Sequence, residues 1–363
     1  MLTDHPTILP GFLPPFVLRS VAERGTPAQR ERALSALAQD AAFRTGRRFT
    51  RTRTAPHAAE NLPPTVSGDL ARDLQRRVHD SGNRELLPGE LVRSEGDPET
   101  GDAATDEAYA GTGAAYDLFY DAYVRGSYDG ANSPIVSSVH YGRAYANAFW
   151  NGEQLAFGDG DGELFNRFTI AVDVIAHEFT HGVVQYSPNL SYEDQSGALN
   201  ESLCDVFGVL TSQRSRSLED PAEEDWLVGA GLFTDAVEGR ALRSMSAPGT
   251  AFDDPVLGRD PQVGHMDDYV QTEEDSGGVH INSGIPNKAF HAAATAVGGP
   301  AWEKPGRIWY AAMTDPELTP DADFRLFAGI AIRAARLLFG QGSPEHDAVA
   351  EAWRSVGLAA EVG

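Results

Sequence analysis

His177, Glu178 and His181 form the pattern His-Glu-x-x-His inside an apolar segment. Four residues are about one helical turn, so both imidazoles face the same side of a helix, at a spacing that suits one Zn²⁺ ion. Glu178 is offset by one position, where its carboxylate can accept a proton from water activated by the metal. A chain of this composition contains about 0.02 such patterns by chance. The pattern therefore favours a metal site that activates water over two histidines buried in an ordinary core.

A catalytic zinc site needs a third protein ligand and an open fourth position. Glu201 lies twenty residues after His181, and two antiparallel helices joined by a loop would bring it opposite the histidines. Asp205 lies one turn further, where it can accept the second ring N–H of a ligating histidine and fix its tautomer. We therefore predict Glu201 as the third ligand. Cys204 is the single cysteine, so no internal disulfide forms, and we expect a small buried residue, not a nucleophile.

The elements that must position these residues change in type along the chain. Short strands and turns are predicted between residues 67 and 150, with one helix over residues 106–123. From residue 169 the pattern is mainly helical and ends in helices over residues 322–340 and 346–356. A β-rich half followed by a helical half predicts an α+β fold with two lobes.

The chain of 363 residues is strongly acidic, with a formal net charge of −24. This charge disfavours nucleic acid and anionic membranes as partners, and no apolar run approaches the roughly 18–20 residues of a membrane span. Residues 1–60 differ, because nine arginines against five acidic residues give them a net charge of +4. Within them, residues 28–43 predict a helix and residues 45–64 an exposed linker. This part is either an ordinary N-terminal helix with a loop or a detachable basic segment that lies against an acidic body.

Several motifs in a fixed order give the chain a resemblance to the thermolysin family of neutral zinc endopeptidases. They are residues 177–181, 197–205 and 277–285, supported by residues 147–150, 157–162 and 242–246. The resemblance implies a β-rich N-terminal lobe, a helical C-terminal lobe and a cleft between them, floored by the His-Glu-x-x-His helix. Residues 14–18, Pro-Pro-Phe-Val-Leu, resemble the short propeptide motif of the protealysin-like branch.

The implied organisation has three parts. Residues 1–50 are a propeptide that covers the cleft and is removed autocatalytically. Residues 51–168 form the N-terminal β-rich catalytic lobe, and residues 169–363 contain the active-site helix and the α-helical C-terminal lobe.

The resemblance also implies a role for each matching residue. His177, His181 and Glu201 match the zinc ligands, and Glu178 matches the general base. In the implied mechanism Zn²⁺ polarises the scissile carbonyl and lowers the pKa of its water, and Glu178 passes the proton of this water to the leaving amine. The other matches are Tyr192 and His280 for oxyanion stabilisation, Asp275 for orienting His280, Asp205 for orienting a zinc-bound histidine, and Asn147, Ala148 and Arg243 for binding the substrate main chain.

The pocket just beyond the scissile bond is matched by apolar residues, which are Phe165, Phe168, Val174, Val228, Leu232 and Leu242. We therefore expect hydrolysis on the amino side of Leu, Phe, Ile or Val. The structural Ca²⁺ cluster of the family is matched only by Asp173 and Asp225, while other expected acids are replaced by Ser212, Leu227 and Ala230. Because Ca²⁺ takes six to eight oxygen ligands, we expect at most one weak site.

Two other functions share parts of this pattern: a zinc hydrolase of a different bond, and a degenerate peptidase-like module that only binds peptides. The residues matched to substrate main chain favour peptide hydrolysis over the first. The presence of Glu178 together with every matched ligand favours an enzyme over the second.

We expect a monomer that acts on proteins or peptides, with its own propeptide as a partner in cis and a proteinaceous inhibitor as a further partner class. The N-terminal residues have an early acidic side chain and prolines in their apolar stretch, which argues against a Sec-type signal peptide. We therefore expect synthesis in the cytoplasm, non-classical export and extracellular action, with propeptide cleavage within residues 46–55.

Overall fold

The structure is a computed structural model that describes residues 11–50, 71–220 and 223–358, with side chains described to residue 39 in the first range and from residue 225 in the last. The helices are α1 (Pro15–Arg24), α2 (Pro27–Thr50), α3 (Ala103–Tyr123), α4 (Val172–Gln185), α5 (Asp194–Ser215), α6 (Asp275–Asn282), α7 (Gly284–Val297), α8 (Lys304–Met313), α9 (Phe324–Phe339) and α10 (Pro344–Ser355). The strands are β1 (Arg76–Arg84), β2 (Glu90–Ser94), β3 (Ile135–Tyr141), β4 (Ala148–Trp150), β5 (Leu155–Phe157), β6 (Leu227–Val228), β7 (Arg243–Ser244), β8 (Asp253–Asp254) and β9 (Gly258–Arg259).

The β-rich lobe is built on a mixed five-stranded sheet with strand order β2-β1-β3-β5-β4. Strand β3 pairs in parallel with β1 and β5, while β2 and β4 run antiparallel to their neighbours. Helix α3 packs against this sheet and is capped at its N-terminus by Asp102, whose carboxylate accepts a hydrogen bond from the Thr105 backbone N–H. The predicted order, strands first and helices afterwards, is confirmed, and α3 begins three residues before the predicted helix.

Helix α4 lies at the centre of the molecule, and every residue from Asp173 to Val184 is buried. It packs against α3 and α5. The backbones of α4 and α5 approach closely, since a Cβ atom at Gly208 would lie 2.6 Å from the Asp173 carbonyl oxygen. This close packing presents the histidines of α4 to the acidic residues of α5. Among the helices in the described ranges, none combines the length and apolar character that a bilayer span requires.

Helices α1 and α2 pack against each other and lie on the rest of the molecule. Arg19 pairs with Glu274 at 2.9 Å, and Arg32 pairs with Glu163 at 2.9 Å, so basic N-terminal residues meet acidic ones on the body. Helix α2 continues to Thr50, past the predicted end at residue 43. No proline lies between Pro27 and Pro56, and the arginines after residue 43 are good helix formers. The rest of the predicted linker lies outside the described residues.

The imidazole of His140 on β3 joins two parts of the β-rich lobe. Its Nδ1 lies 2.9 Å from both carboxylate oxygens of Asp159, and its Nε2 lies 3.2 Å from Asp102 at the start of α3. The hydrogen bond to Asp159 raises the pKa of His140 to about 9, against the opposing effect of burial. The charged imidazole therefore stabilises the folded state below the unfolded pKa of about 6.5, and this contribution is lost as the pH rises through about 9.

We expect the substitution His140→Gln to lower the melting temperature by about 2 °C at pH 6, equivalent to about 1 kcal/mol for a partly exposed ion pair. The difference should shrink by pH 10, because the parent histidine is then neutral. Both chains should also carry Glu178→Gln to prevent self-digestion during the thermal scan. An equal difference at both pH values would contradict this assignment.

Candidate active site and metal centre

The histidines of α4 and the glutamate of α5 converge on one small volume. His177 Nε2 lies 3.5 Å from Glu201 Oε2, and His181 Nε2 lies 3.6 Å from Glu201 Oε1. All three side chains are buried. Neither His177 Nε2 nor Glu201 Oε2 has a hydrogen-bond partner among the described residues, which is costly unless another group binds them. Two imidazole nitrogens and a carboxylate are a donor set that suits Zn²⁺, so these residues fit the ion.

The other ring nitrogen of each histidine is held by a hydrogen bond from α4 to α5. His177 Nδ1 donates to Asp205 Oδ1 at 2.9 Å, and His181 Nδ1 donates to Asn200 Oδ1 at 2.9 Å. Both bonds leave Nε2 as the nitrogen that faces Glu201, so they select the tautomer that a metal needs. The sequence predicted this role for Asp205 but assigned none to Asn200, whose only signal is its place immediately before Glu201.

Cys204 also lies close to the histidines, and ligand atoms of His177, His181 and Cys204 fall within 4.8 Å of one another. Its Sγ lies 3.2 Å from His181 Nδ1, on the ring edge that Asn200 already occupies. Burial raises the pKa of the Cys204 thiol well above its usual range, which disfavours the thiolate a metal would need. The arrangement with Glu201 is therefore the better ligand set.

Glu178 is fully buried, next to His177 in the chain. Neither of its carboxylate oxygens makes a hydrogen bond of good geometry within the described residues. Burial raises the pKa of Glu178 to about 7, with the charge of Glu201 acting in the same direction and His177 opposing it. A carboxyl group in this range can both accept and release a proton near neutral pH.

Tyr192 and His280 lie on the other side of Glu201. The Tyr192 hydroxyl donates a hydrogen bond to Glu201 and lies 3.3 Å from His280 Nε2. Asp275 holds His280 twice, because it accepts from His280 Nδ1 at 2.8 Å and from the His280 backbone N–H at 3.0 Å. Burial lowers the pKa of His280, but the charges of Asp275 and Glu201 outweigh it, so the pKa is raised.

The backbone before His280 adopts an uncommon conformation. Asp275 and Ser276 have φ values of 52° and 53°, followed by Gly277 and Gly278 at 87° and 75°. Gly277 is required here, since a Cβ atom would lie 2.2 Å from Asp194 Oδ1. Non-glycine residues in the left-handed region are costly and are retained where the surroundings enforce them. This turn brings the Asp275 carboxylate back onto the ring of His280.

Arg243 on β7 is the buried cation of the site. It donates to Asp205 through Nε at 2.9 Å and Nη2 at 2.8 Å, and through Nη1 to the backbone carbonyl oxygen of Phe12 at 3.3 Å. Burial lowers the pKa of Arg243, but the negative charge of Asp205 outweighs this effect, so the pKa is raised. The guanidinium thus links Asp205, which holds His177, to a polypeptide segment that lies in the cleft.

That segment is the N-terminal part of the chain itself, residues 11–24, which we call the cap. The Phe12 backbone N–H donates to the Ala148 carbonyl oxygen at 2.8 Å, and the Leu13 N–H donates to Asn147 Oδ1 at 2.7 Å. The ring of Phe12 contacts that of His177 edge-on at 5.0 Å between centroids. The groups predicted to bind substrate main chain therefore hold the cap.

The side chain of Phe12 occupies an apolar pocket. A Cβ atom at Gly229 would meet Leu232 at 2.9 Å, Phe12 at 3.3 Å and Leu242 at 3.4 Å, so these residues surround one point. The predicted pocket residues Val174, Val228, Leu232 and Leu242 are all buried.

Phe165 and Phe168 are also buried, and their rings pack against each other at 6.3 Å between centroids. Phe165 also lines a cavity of about 210 Å³ between the N-terminal helices and the β-rich lobe, together with Leu18 and Val21. Its assignment to the substrate pocket stays a prediction.

The two residues matched to a calcium cluster have separate partners. Asp173 accepts a hydrogen bond from the Gly229 backbone N–H at 2.5 Å, and burial raises its pKa. Asp225 pairs with Arg216 at 2.8 Å. Each carboxylate therefore already serves a structural contact.

Residues 70–185 match the family described as "Thermolysin metallopeptidase, catalytic domain", and residues 188–358 match "Thermolysin metallopeptidase, alpha-helical domain". The chain belongs to the thermolysin family of metallopeptidases. Within this thermolysin family it is 47% identical over 346 residues to the extracellular metalloprotease of Pectobacterium carotovorum subsp. carotovorum, covering 95% of each chain. It is 40% identical over 357 residues to protease PrtS of Photorhabdus sp. (strain Az29), covering 96% of this chain and 92% of that protein.

A solved structure, the precursor of protealysin, a metalloproteinase from Serratia proteamaculans, is similar with a TM-score of 0.84 at 46% identity. The similarity covers 96% of this chain and 99% of that chain. These relationships confirm the two-lobed thermolysin fold and the protealysin-like branch predicted from the sequence. The chain described here is therefore a zinc-dependent neutral metalloendopeptidase made as a precursor.

In this thermolysin-family precursor, Gly11 approaches the cleft too closely to carry a side chain. A Cβ atom there would lie 2.3 Å from Asn147 Nδ2, and Asn147 Oδ1 holds the backbone N–H groups of Leu13 and Ala148. We therefore expect Gly11→Ala to displace the cap or the Asn147 amide. The uncut precursor should then hydrolyse a small fluorogenic peptide about tenfold faster, if the strain weakens the cap by about 1.4 kcal/mol.

The matched control is Ala28→Ser, an exposed position of α2 in the same N-terminal region. Intact mass should show that neither precursor has been cut during the assay. If the uncut Gly11→Ala chain hydrolyses the peptide no faster than the uncut parent, the close approach to Asn147 does not hold the cap in place.

Proposed function

We propose that the chain is a self-processing endopeptidase that cleaves on the amino side of a bulky hydrophobic residue. The observation that carries this proposal is the binding of Phe12. Its backbone N–H is held by Ala148, its carbonyl oxygen by Arg243, and its ring by the pocket around Gly229. A peptide substrate that makes the same main-chain bonds would present a large apolar side chain to this pocket, and Leu, Phe, Ile and Val fit it.

His177, His181 and Glu201 would hold the Zn²⁺ ion, which when bound supplies a Lewis acid that polarises a carbonyl group and acidifies water. Glu178 would take a proton from the attacking water and deliver it to the leaving nitrogen. Its raised pKa near 7 suits both transfers, since neither protonation state is strongly favoured at neutral pH.

Tyr192 and His280 would donate hydrogen bonds to the substrate oxygen as it becomes negatively charged. Asp275 keeps the His280 ring in position and favours its charged form, which is the stronger donor. Asn147 and Ala148 would hold the substrate main chain, and Val174, Leu242 and Phe165 would contribute apolar surface to its pocket. For Ca²⁺ we propose no more than one weak site, because Arg216 engages the carboxylate of Asp225.

We further propose that residues 1–50 are the propeptide, that residues 51–168 and 169–363 are the two catalytic lobes, and that the first cut falls within residues 46–55. The cap lies in the cleft through the same contacts a substrate would use, which supports an inhibitory role in cis. We propose a mature monomer that acts outside the cell after non-classical export and that a proteinaceous inhibitor can regulate. A relative named "Extracellular metalloprotease" supports the extracellular site of action.

The general-base assignment predicts that Glu178→Gln abolishes processing. After incubation with Zn²⁺, the parent should lose an N-terminal fragment of about 50 residues, as judged by intact mass, while the variant stays whole. Peptide hydrolysis should fall by about 10²–10⁴-fold. The control is Glu99→Gln, an exposed carboxylate, which should process normally. Equal shortening of parent and Glu178→Gln would identify a contaminating protease, and an intact parent that also leaves peptides whole would favour a binding module.

The pocket around Gly229 predicts the substrate preference. In a peptide library, the residue after the cleaved bond should be Leu, Phe, Ile or Val. Leu242→Ala enlarges the pocket, so kcat/KM for Leu at this position should fall by about tenfold, and by less for Phe. A library preference for charged residues at this position would contradict the proposal.

A further inference from the structure

The carboxylate of Asp205 is the point at which the metal-binding and substrate-binding parts of the site meet. Its Oδ1 accepts from His177 Nδ1 and Arg243 Nη2, and its Oδ2 accepts from Arg243 Nε. The side chain is fully buried. Burial raises the pKa of Asp205, but the positive charge of Arg243 and the hydrogen bond from His177 outweigh it, so the pKa is lowered.

The Asp205 carboxylate accepts a fourth hydrogen bond. Asn287 Nδ2 on α7 donates to Asp205 Oδ2 at 2.9 Å. The Asn287 side chain is fully buried, and its Oδ1 has no hydrogen-bond partner among the described residues. An unpartnered buried carbonyl oxygen is costly. An apolar side chain would avoid that cost, so the amide is explained by the hydrogen bond that it donates.

The backbone that carries Asn287 is tightly packed. A Cβ atom at Gly284, the first residue of α7, would lie 2.5 Å from the Val263 carbonyl oxygen. The Asn287 backbone N–H donates to Ser283 at 3.1 Å, within the first turn. The start of α7 therefore has little freedom to shift, so the Asn287 amide can hold the Asp205 carboxylate in one position.

We propose that Asn287 is a positioning residue that lets one carboxylate serve two functions. It holds Asp205 Oδ2 so that Oδ1 stays directed at His177 while Arg243 keeps both of its bonds. Without the amide donor, the carboxylate can rotate toward Arg243, which loosens His177 and also shifts the guanidinium that binds the carbonyl oxygen of Phe12. The inference rests on the proposed function, because it assigns His177 to the metal and Arg243 to the substrate.

Asn287→Leu removes the amide donor and keeps a similar side-chain volume. Asn287→Ser replaces it with a hydroxyl on a side chain too short to reach Asp205. The control is Thr112→Val on α3, which also deletes one buried hydrogen bond, from Thr112 Oγ1 to Ala108 at 2.7 Å. Zinc affinity is measured by competition with a chelator on full-length precursors that all carry Glu178→Gln. We expect both Asn287 variants to bind Zn²⁺ about tenfold more weakly than the parent, and Thr112→Val to match the parent.

The second readout is the kinetics of the processed enzymes with Glu178 intact, at saturating Zn²⁺. We expect KM for a peptide to rise about fivefold in the Asn287 variants, with kcat within about twofold, because Arg243 binds ground state and transition state alike. A purely structural role would lower thermal stability in all three variants without separating them in zinc affinity or KM.

Zinc affinity and KM equal to the parent in both Asn287 variants would overturn the proposal while leaving the enzyme assignment intact. A parent chain that neither binds Zn²⁺ nor hydrolyses peptide would instead overturn the proposed function. The two failures are distinguishable because the parent is measured in the same series.

Discussion

The contact between α4 and α5 is the constraint on which the rest of the site depends. Gly208 lets the two backbones approach, and the approach sets His177 and His181 against Glu201 at distances that one metal ion can bridge. The same contact supplies hydrogen bonds to the far side of both imidazoles. Burying ionisable groups is costly unless each is paired. A wider spacing between these helices would leave several buried charges without partners, so the site and the core are stabilised together.

The cap makes main-chain hydrogen bonds of the kind that a bound peptide would make, and these contacts are the basis of the inhibitory role that we propose for it. It is held by main-chain hydrogen bonds to Asn147, Ala148 and Arg243 and by buried apolar side chains, among them those of Phe12 and Val17. Exposed ion pairs such as Arg19 with Glu274 contribute little individually. In the proposed processing, cleavage of the chain after the cap leaves the cap held by non-covalent contacts alone, without the advantage of being tethered. The pocket that we propose for the substrate side chain is thus occupied by Phe12 of the same chain.

Local sequence was sufficient for the residues whose chemistry depends on spacing along one helix. The pair His177 and His181, and the offset of Glu178, follow from the geometry of a single turn. Helix types and order followed from periodicity, although α2 runs to Thr50, into the stretch predicted as a linker. Asn200 and Asn287 had no comparable signal. A buried asparagine is recognised as functional only when its hydrogen-bond partner is known. The partner of Asn200 is His181 and the partner of Asn287 is Asp205, and each lies on a different helix from its asparagine.

The sequence by itself determined which reactive groups are present, namely a zinc-binding pattern and a nearby base. It also determined the distribution of charge, with an acidic body and a basic N-terminal segment. Its resemblance to a family supplied roles for residues far apart in the chain. Only the tertiary structure decided that the Asp205 carboxylate, already predicted to hold a histidine, also accepts from Arg243, and that Phe12 lies in the pocket beside Gly229. Hydrogen bonds and pocket contacts depend on positions to within a fraction of an ångström. Such positions are set by the packing of whole helices, which no short stretch of sequence encodes.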